Sequence, residues 1–99
     1  MSQPESKLSR KIQAALRLEG WFCYKNHGNE FTMDGLPDIV VCAEGLFIGL
    51  ETKMPNKRGN TSKKQDLRRD EIRDAGGIYE VVCSEAEAVR VVRRALARS

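Results

Sequence analysis

The sequence predicts an α/β domain in which a mixed β-sheet is flanked by helices, with the element order α-β-β-β-α-β-α. Three observations predict this class. Two apolar runs rich in β-branched residues are joined by a Glu-Gly turn, a pattern typical of a β-hairpin. Three other segments carry apolar residues at helical spacing. Each of those segments begins with a Ser-x-x-Glu or Ser-x-x-Gln pattern, the sequence of a helix capping box.

The first half of the chain is predicted to contain one helix and three strands. Ser2 and Glu5 form the first capping box, and Gly20 ends the helix that follows them. A polar loop over residues 26–35 separates the first strand from the hairpin. The strands are predicted over residues 21–24, 37–43 and 46–53.

The second half is predicted to contain one strand between two helices, after a loop over residues 54–60. Ser62 with Gln65, and Ser84 with Glu87, are the capping boxes that begin the two helices. A Gly-Gly pair supplies the left-handed residue that ends the first of them. The elements are predicted over residues 62–75, 78–83 and 84–99.

Length and composition indicate a single globular domain over residues 1–99. Hydrophobic residues make up 40% and charged residues 31%, which argues against intrinsic disorder. No apolar run approaches the ~20 residues of a membrane span, and the first residues lack the apolar core of a signal peptide. Cys23, Cys42 and Cys83 are too far apart for a paired zinc motif and odd in number. We expect them to be free, buried thiols in the cytoplasm.

The formal net charge of +3 conceals a basic segment. Residues 53–69 contain seven basic residues and one acid, a net charge of +6, which leaves −3 for the rest of the chain. Such a segment predicts contact with a nucleic-acid backbone, although a solvated charged helix has the same composition. The candidate phosphate contacts are Lys57, Arg58, Lys63, Lys64, Arg68 and Arg69.

Two carboxylates and one ammonium group are expected at the open end of the hairpin. Asp38 begins one strand and Glu51 lies near the end of the other, so antiparallel pairing brings them together. Lys53 returns to the face of Glu51 because side chains alternate along a strand. Mg²⁺ prefers carboxylate oxygens, and a lysine beside the metal can hold an attacking water or neutralise a phosphate. The spacing alone also fits an ordinary hairpin whose charged ends are exposed.

A resemblance to the PD-(D/E)xK nuclease superfamily, and within it to the VRR-NUC family, is carried by GLPD at residues 35–38, LETK at residues 50–53, and Gln65. The basic, proline-containing loop and the glycine-led strand after the helix fit the same pattern. The resemblance extends over nearly the whole chain, which looks like a minimal, stand-alone member. It implies a restriction-endonuclease-like fold.

The resemblance also implies roles for the residues at the hairpin end. Asp38 and Glu51 would bind a Mg²⁺ or Mn²⁺ ion together with the backbone carbonyl of Thr52. Lys53 would be the catalytic lysine.

Two further residues match the acidic and glutamine positions of the family. Glu5 would reach the metal site directly or through water, or could serve only the capping box with Ser2. Gln65 would steer the lysine or a phosphate, or could serve only the capping box with Ser62. The sequence leaves both pairs of roles open.

The function that the resemblance implies is metal-dependent hydrolysis of DNA phosphodiester bonds, in a bacterial or phage-infected bacterial cell. Stand-alone members are similar to Holliday-junction resolvases, so we expect a homodimeric, structure-selective endonuclease that cuts four-way junctions. The alternatives are a flap or splayed-arm nuclease, a restriction-like enzyme that awaits a partner, a non-catalytic DNA-binding module, and a structural protein with a solvated basic helix.

The remaining candidates give weaker signals. His27 could contact a phosphate but is expected to be merely an exposed loop residue. The aromatic residues of the first strand are expected to pack in the core rather than to stack on bases; they are Trp21, Phe22 and Tyr24. Four arginines of the last helix could extend the basic surface or only keep the domain soluble: Arg90, Arg93, Arg94 and Arg98.

Overall fold

The computed structural model describes residues 4–28 and 33–98, and within these ranges the elements follow the predicted order. The helices are α1 (Pro4–Leu18), α2 (Lys63–Asp74) and α3 (Glu85–Arg98). The strands are β1 (Phe22–Lys25), β2 (Ile39–Ala43), β3 (Leu46–Thr52) and β4 (Ile78–Val82), and a 3₁₀ turn occupies Pro55–Lys57. None of the helices in these ranges is long and apolar enough to cross a membrane.

These strands form a mixed sheet in the order β1-β2-β3-β4. The pairs β1–β2 and β2–β3 are antiparallel, whereas β3–β4 is parallel. The hairpin turn holds Glu44 and Gly45 at φ 51° and 81°, the left-handed pair of a type I′ turn. The predicted α/β class and its mixed sheet are confirmed.

One face of the sheet carries the hydrophobic core. Helices α1 and α3 pack against this face and against each other, and each strand supplies alternate residues to it. The buried core residues are Ile12, Leu16, Cys23, Ile39, Val41, Ala43, Ile48, Leu50, Val82, Ala88, Val92 and Ala95. This packing gives the hairpin a rigid support, from which the side chains of the opposite face project.

The opposite face of the sheet is covered over only half its width. Helix α2 packs on the β4 side, where Tyr79 is buried. The Pro37 ring packs over Gly49, and a Cβ at that position would lie 2.6 Å from Pro37 Cγ, so the close approach requires glycine. Among the described residues, no helix covers the β1–β2 half of this face.

Two of the three aromatic residues at the start of the sheet differ from their predicted burial. Trp21 packs against the core, but Phe22 is 66% exposed and Tyr24 is 48% exposed, so the prediction is wrong for these two. Phe22 lies opposite Cys42, which lies opposite Phe47, and the three form a transverse row on the uncovered half. They are exposed because α2 packs on β4 and not on β1.

The cysteines are free, as expected, but only Cys23 is buried. Cys83 is partly buried and Cys42 is exposed, so the prediction of buried thiols is wrong for these two. The side chain of Cys42 is exposed because β2 is covered on one face only, and alternate residues point away from the core.

The capping box predicted at the start of α3 is only half formed. Ser84 Oγ accepts the N–H of Glu87 at 3.1 Å, as predicted. The Glu87 carboxylate, however, accepts the N–H of Cys83 at 2.6 Å rather than that of Ser84. Arg58 Nη2 donates to both oxygens of the same carboxylate, and this contact accompanies the shift by one residue.

Candidate active site

The open end of the hairpin brings Asp38 and Glu51 together. The β2–β3 register pairs Ile39 with Leu50 and, continued by one residue, places Asp38 opposite Glu51. Side chains alternate between the two faces of a strand, so Asp38 lies on the same face as Val40, and Glu51 lies on the same face as Gly49. This is the half-covered face of the sheet.

Asp38 is held by the backbone and by one lysine. Its Oδ2 accepts a hydrogen bond from the N–H of Thr52 at 3.0 Å, and its Oδ1 lies 3.6 Å from Lys25 Nζ. Lys25 lies outside the sequence motifs, which therefore do not indicate it. The signal for it is the β1–β2 register, which pairs Lys25 with Ile39, the residue next to Asp38.

Glu51 is a buried carboxylate, only 4% exposed. Its Oε2 accepts a hydrogen bond from Gln65 Nε2 at 2.9 Å and lies 3.8 Å from Lys53 Nζ. Its Oε1 is buried and has no hydrogen-bond partner among the described residues. This burial contradicts the interpretation of the site as an ordinary hairpin with exposed charged ends.

The electrostatics of the site favour an additional cation. Burial raises the pKa of Glu51 to about 7, with a further contribution from the negative charge of Asp38. The Lys53 ammonium lowers this pKa without cancelling the effect of burial. Burial therefore leaves the charged form of Glu51 poorly stabilised, and a bound cation would offset that cost.

Lys53 continues the strand that carries Glu51. Its N–H donates to the Val82 carbonyl at 3.1 Å, which extends the parallel β3–β4 pairing by one residue. The Lys53 side chain is 15% exposed, so its ammonium group is confined beside Glu51.

Gln65 performs capping and contacts the site at the same time. Its side chain and that of Ser62 form the predicted capping box at the start of α2, with Gln65 Oε1 accepting the Ser62 N–H at 3.0 Å. Its Nε2 donates to Glu51. The contact is with the carboxylate rather than with Lys53, which the sequence left as an option.

Glu5 lies in the first turn of α1 and is partly buried. Its negative charge contributes to raising the pKa of Glu51, so α1 brings this residue towards the site. Ser2, the other member of the capping box predicted for α1, lies outside the described residues.

The residue before Asp38 affects the Thr52 carbonyl. Continuing the β2–β3 register by two residues places Pro37 opposite Thr52. A proline has no N–H to offer to the strand opposite it. The N–H of Thr52 donates to the Asp38 side chain instead. Because Pro37 cannot donate to the Thr52 carbonyl, that carbonyl could serve as a metal ligand.

The oxygen atoms at this site fit a hard divalent cation. Within residues 4–28 and 33–98, no group of three or more His, Cys, Asp and Glu side chains has the arrangement of a metal site. The oxygens that could hold a cation here are those of the Asp38 and Glu51 carboxylates and of the Thr52 carbonyl. Oε1 of Glu51 is buried without a hydrogen-bond partner among the described residues, which leaves it available as a metal ligand. Mg²⁺ and Mn²⁺ prefer oxygen ligands of this kind.

Four of the six predicted phosphate contacts make ion pairs. The pairs are Arg58–Glu87, Lys64–Asp34, Arg68–Glu71, and Arg69 with Asp66 and Asp70. Lys57 and Lys63 make no ion pair with the described residues. The basic segment is therefore largely neutralised by its own neighbours, which its composition alone does not reveal.

Tyr79 was not singled out from the sequence. It is buried on β4 opposite Gly49, and its hydroxyl has no partner among the described residues. Burial raises its pKa, and the charges of Glu51 and Asp38 raise it further, so the ring lies close to the site. His27 is exposed, as expected, and lines a shallow groove with residues of α1.

A solved structure described as a VRR_NUC domain is similar to this chain, with a TM-score of 0.69 at 20% sequence identity. The similarity covers 93% of this chain and 97% of that structure. This chain has the VRR-NUC fold. The predicted resemblance is thus confirmed at the level of the fold, although no family model and no curated protein matches the sequence. In this VRR-NUC fold, the carboxylate pair lies at the open end of the β2–β3 hairpin.

Proposed function

We propose that this chain, as a single domain over residues 1–99, is a metal-dependent nuclease of the VRR-NUC family that hydrolyses DNA phosphodiester bonds. The proposal rests on the buried Glu51 carboxylate, which lies beside Lys53 and opposite Asp38 and keeps one oxygen without a partner. Burying a charged group without full compensation is costly, and an ordinary hairpin end would avoid that cost. The VRR-NUC fold supports the same function.

A Mg²⁺ or Mn²⁺ ion would be held by Asp38, Glu51 and the Thr52 carbonyl, with Glu5 contributing directly or through water. When bound, such an ion polarises a phosphoryl oxygen and stabilises the charge that develops during hydrolysis. An all-oxygen donor set favours these cations over softer metals.

The side chains around this donor set have separate tasks. Lys53 can orient a water molecule for attack on phosphorus or neutralise charge on the phosphate, because its ammonium is confined beside Glu51. Gln65 holds the Glu51 carboxylate in place at 2.9 Å. The Thr52 N–H does the same for Asp38 at 3.0 Å. Groups positioned before the substrate binds need little reorganisation during the reaction.

Cleavage of a labelled four-way junction tests the proposal. The chain should cut the junction with Mg²⁺ or Mn²⁺ and not with EDTA, and Asp38→Asn and Lys53→Ala should bind the junction without cutting it. Flap, splayed-arm and linear duplex substrates of the same sequence identify the preferred shape. Binding without cleavage in any metal by the unaltered chain would contradict the proposal and favour a DNA-binding module.

A homodimer that acts on four-way junctions is the form we propose for this nuclease. The row Phe22–Cys42–Phe47, with Tyr24 beside it, is exposed and carries no charge. The exposed parts of the three rings amount to roughly 300 Å², a suitable centre for an interface of about 800 Å² per partner. A two-fold pairing of this face would place two active sites in one particle, one for each strand to be cut.

The oligomeric state and cross-linking test this arrangement. Sedimentation should show a dimer, and Phe47→Glu should give a folded monomer because the charge would be buried at the interface. A short bis-maleimide should link Cys42 to the Cys42 of a second copy, and Cys83→Ser should link equally well. A monomer at micromolar concentration would contradict the dimer without affecting the nuclease proposal.

A further inference from the structure

A groove distinct from the candidate active site lies between β4 and α3. It has a volume of about 200 Å³ and is lined by apolar residues of both elements and by six charged side chains. The charged side chains are Arg58, Glu80, Glu87, Arg90, Arg94 and Arg98. We refer to it as the β4–α3 groove.

Three of these arginines form a row along α3. Arg90, Arg94 and Arg98 recur every four residues, so they lie on the same side of the helix at intervals of ~6 Å. All three are exposed. This arginine row spans ~12 Å, an axial length over which one strand of duplex DNA carries about three phosphates.

The two acids of the groove are already engaged by other arginines. Glu87 accepts two hydrogen bonds from Arg58, at 2.8 and 2.9 Å. Glu80 lies 3.4 Å from Arg73. No ion pair within the described residues involves the arginine row. The row is therefore a positively charged surface, in contrast to the largely neutralised basic segment that precedes it in the chain.

The edge of β4 beside the groove is closed to strand addition. The Tyr79 carbonyl accepts a hydrogen bond from Arg73 at 2.9 Å, and the Val81 carbonyl accepts one from Arg58 at 3.5 Å. An extended peptide that paired with β4 would have to displace both guanidinium groups. A partner of the groove would instead meet the arginine side chains, whose planar donors suit phosphate.

We infer that the arginine row binds the phosphate backbone of a DNA arm outside the active site. The inference rests on the proposed function for the identity of the nucleic acid, but not on cleavage. Phosphate contacts fix the orientation of a duplex without reading its sequence. The row would therefore orient one arm of a branched substrate while the chemistry takes place at Asp38 and Glu51.

Salt-dependent binding in EDTA tests the arginine row without any cleavage. The probe is a fluorescein-labelled four-way junction, followed by anisotropy over a range of salt concentrations. Arg94→Gln should reduce the slope of log K against log salt by about 0.9, and replacement of all three arginines of the row should reduce it by about three times as much. Arg93→Gln is the matched control, because Arg93 is exposed on the same helix but pairs with Glu19, and its slope should not change.

A second readout separates this inference from the nuclease proposal. Hydrolysis of bis(4-nitrophenyl) phosphate, a diester with no DNA arm, should be equal in the unaltered chain and in the Arg94→Gln and Arg93→Gln variants. If no substrate is cut but the slopes change as expected, the arginine row stands and the nuclease proposal fails. An unchanged slope in Arg94→Gln and in the triple variant, or no junction binding by the unaltered chain, would overturn the inference.

Discussion

Gln65 and Glu51 are joined by a 2.9 Å hydrogen bond, although Gln65 lies in the first turn of α2 and Glu51 lies near the end of β3. The same glutamine accepts the N–H of Ser62 with its other amide atom. One side chain thus connects the first turn of α2 to the candidate catalytic carboxylate. Capping and site contact, which the sequence presented as alternatives, are compatible.

Gln65→Glu should separate these two roles. A glutamate at this position can still accept the Ser62 N–H, but it cannot donate to Glu51 and it adds a negative charge beside it. We expect cleavage to fall by roughly 10- to 100-fold, the cost of losing a hydrogen bond to a charged group. Ser62→Ala should instead cost about 1 kcal/mol of stability with little loss of activity. Single-turnover cleavage and urea denaturation of both variants measure this, and equal activity losses in the two would contradict the separation.

Lys53→Ala should reduce the rate of cleavage more than the binding of DNA. The ammonium lies beside Glu51, so its loss removes a group that can position the attacking water or neutralise charge on the phosphate, worth about 10²- to 10³-fold in rate. Lys53→Arg should rescue little, because the planar guanidinium is larger than an ammonium group and directs its N–H donors differently. Junction affinity in EDTA is the control. A parallel fall in affinity and rate would indicate a binding role only.

The metal-free protein should become less stable as pH rises. Glu51 in the unfolded chain ionises near 4.5, whereas its pKa in the folded protein is about 7. The folded state therefore holds an extra proton between these pH values. The contribution of Glu51 to the free energy of unfolding is complete below pH 4.5 and is lost as the pH rises through 7. The difference is about 3 kcal/mol. Urea denaturation in EDTA at pH 5 and pH 8 should show it.

Glu51→Gln is the control for this pH dependence. It removes the titrating group, so the variant should lose most of the difference between pH 5 and pH 8. Mg²⁺ should stabilise the unaltered chain at pH 8 and have little effect on the variant, because a ligand that binds only the folded state raises stability. The same pH dependence in the variant would show that another group causes it.

Gly35→Ala should impair both folding and cleavage. Gly35 has a φ of 79°, and a Cβ there would collide with the backbone carbonyl of Lys64 in α2. We expect a loss of about 2 kcal/mol, because backbone has to move on one side of the contact. The displaced segment leads directly into Pro37 and Asp38. A Cβ at Gly59 would meet no atom within 4 Å, so Gly59→Ala should be near neutral in thermal denaturation and cleavage.

The elements of this fold were predictable because their signals are local. The I′ turn at residues 44–45, the capping box at Ser62 and the alternation along the hairpin each depend on neighbours in the sequence. The encounter of Asp38 with Glu51 follows from the same local register.

Other features depend on contacts between distant parts of the chain. Phe22 is exposed because α2 covers the β4 side of the sheet, which no property of residues 21–24 reveals. The neutralisation of Lys64 by Asp34 joins residues 30 positions apart. The hydrogen bond from Gln65 to the buried Glu51 likewise joins residues 14 positions apart. Burial and charge balance are therefore the parts of the site that sequence patterns do not predict.

The two arginine contacts to the β4 carbonyls have a consequence for assembly. A sheet with a bare edge can recruit strand after strand and grow into an open-ended ribbon, whereas an edge held by charged side chains resists such growth. Arg73 and Arg58 hinder growth from the β4 edge, whereas the row Phe22–Cys42–Phe47 is the face through which we propose that two copies associate. In a two-fold pair through this face, the same surface is buried on both copies and none is left for a third. Such an assembly would stop at a dimer even at high protein concentration.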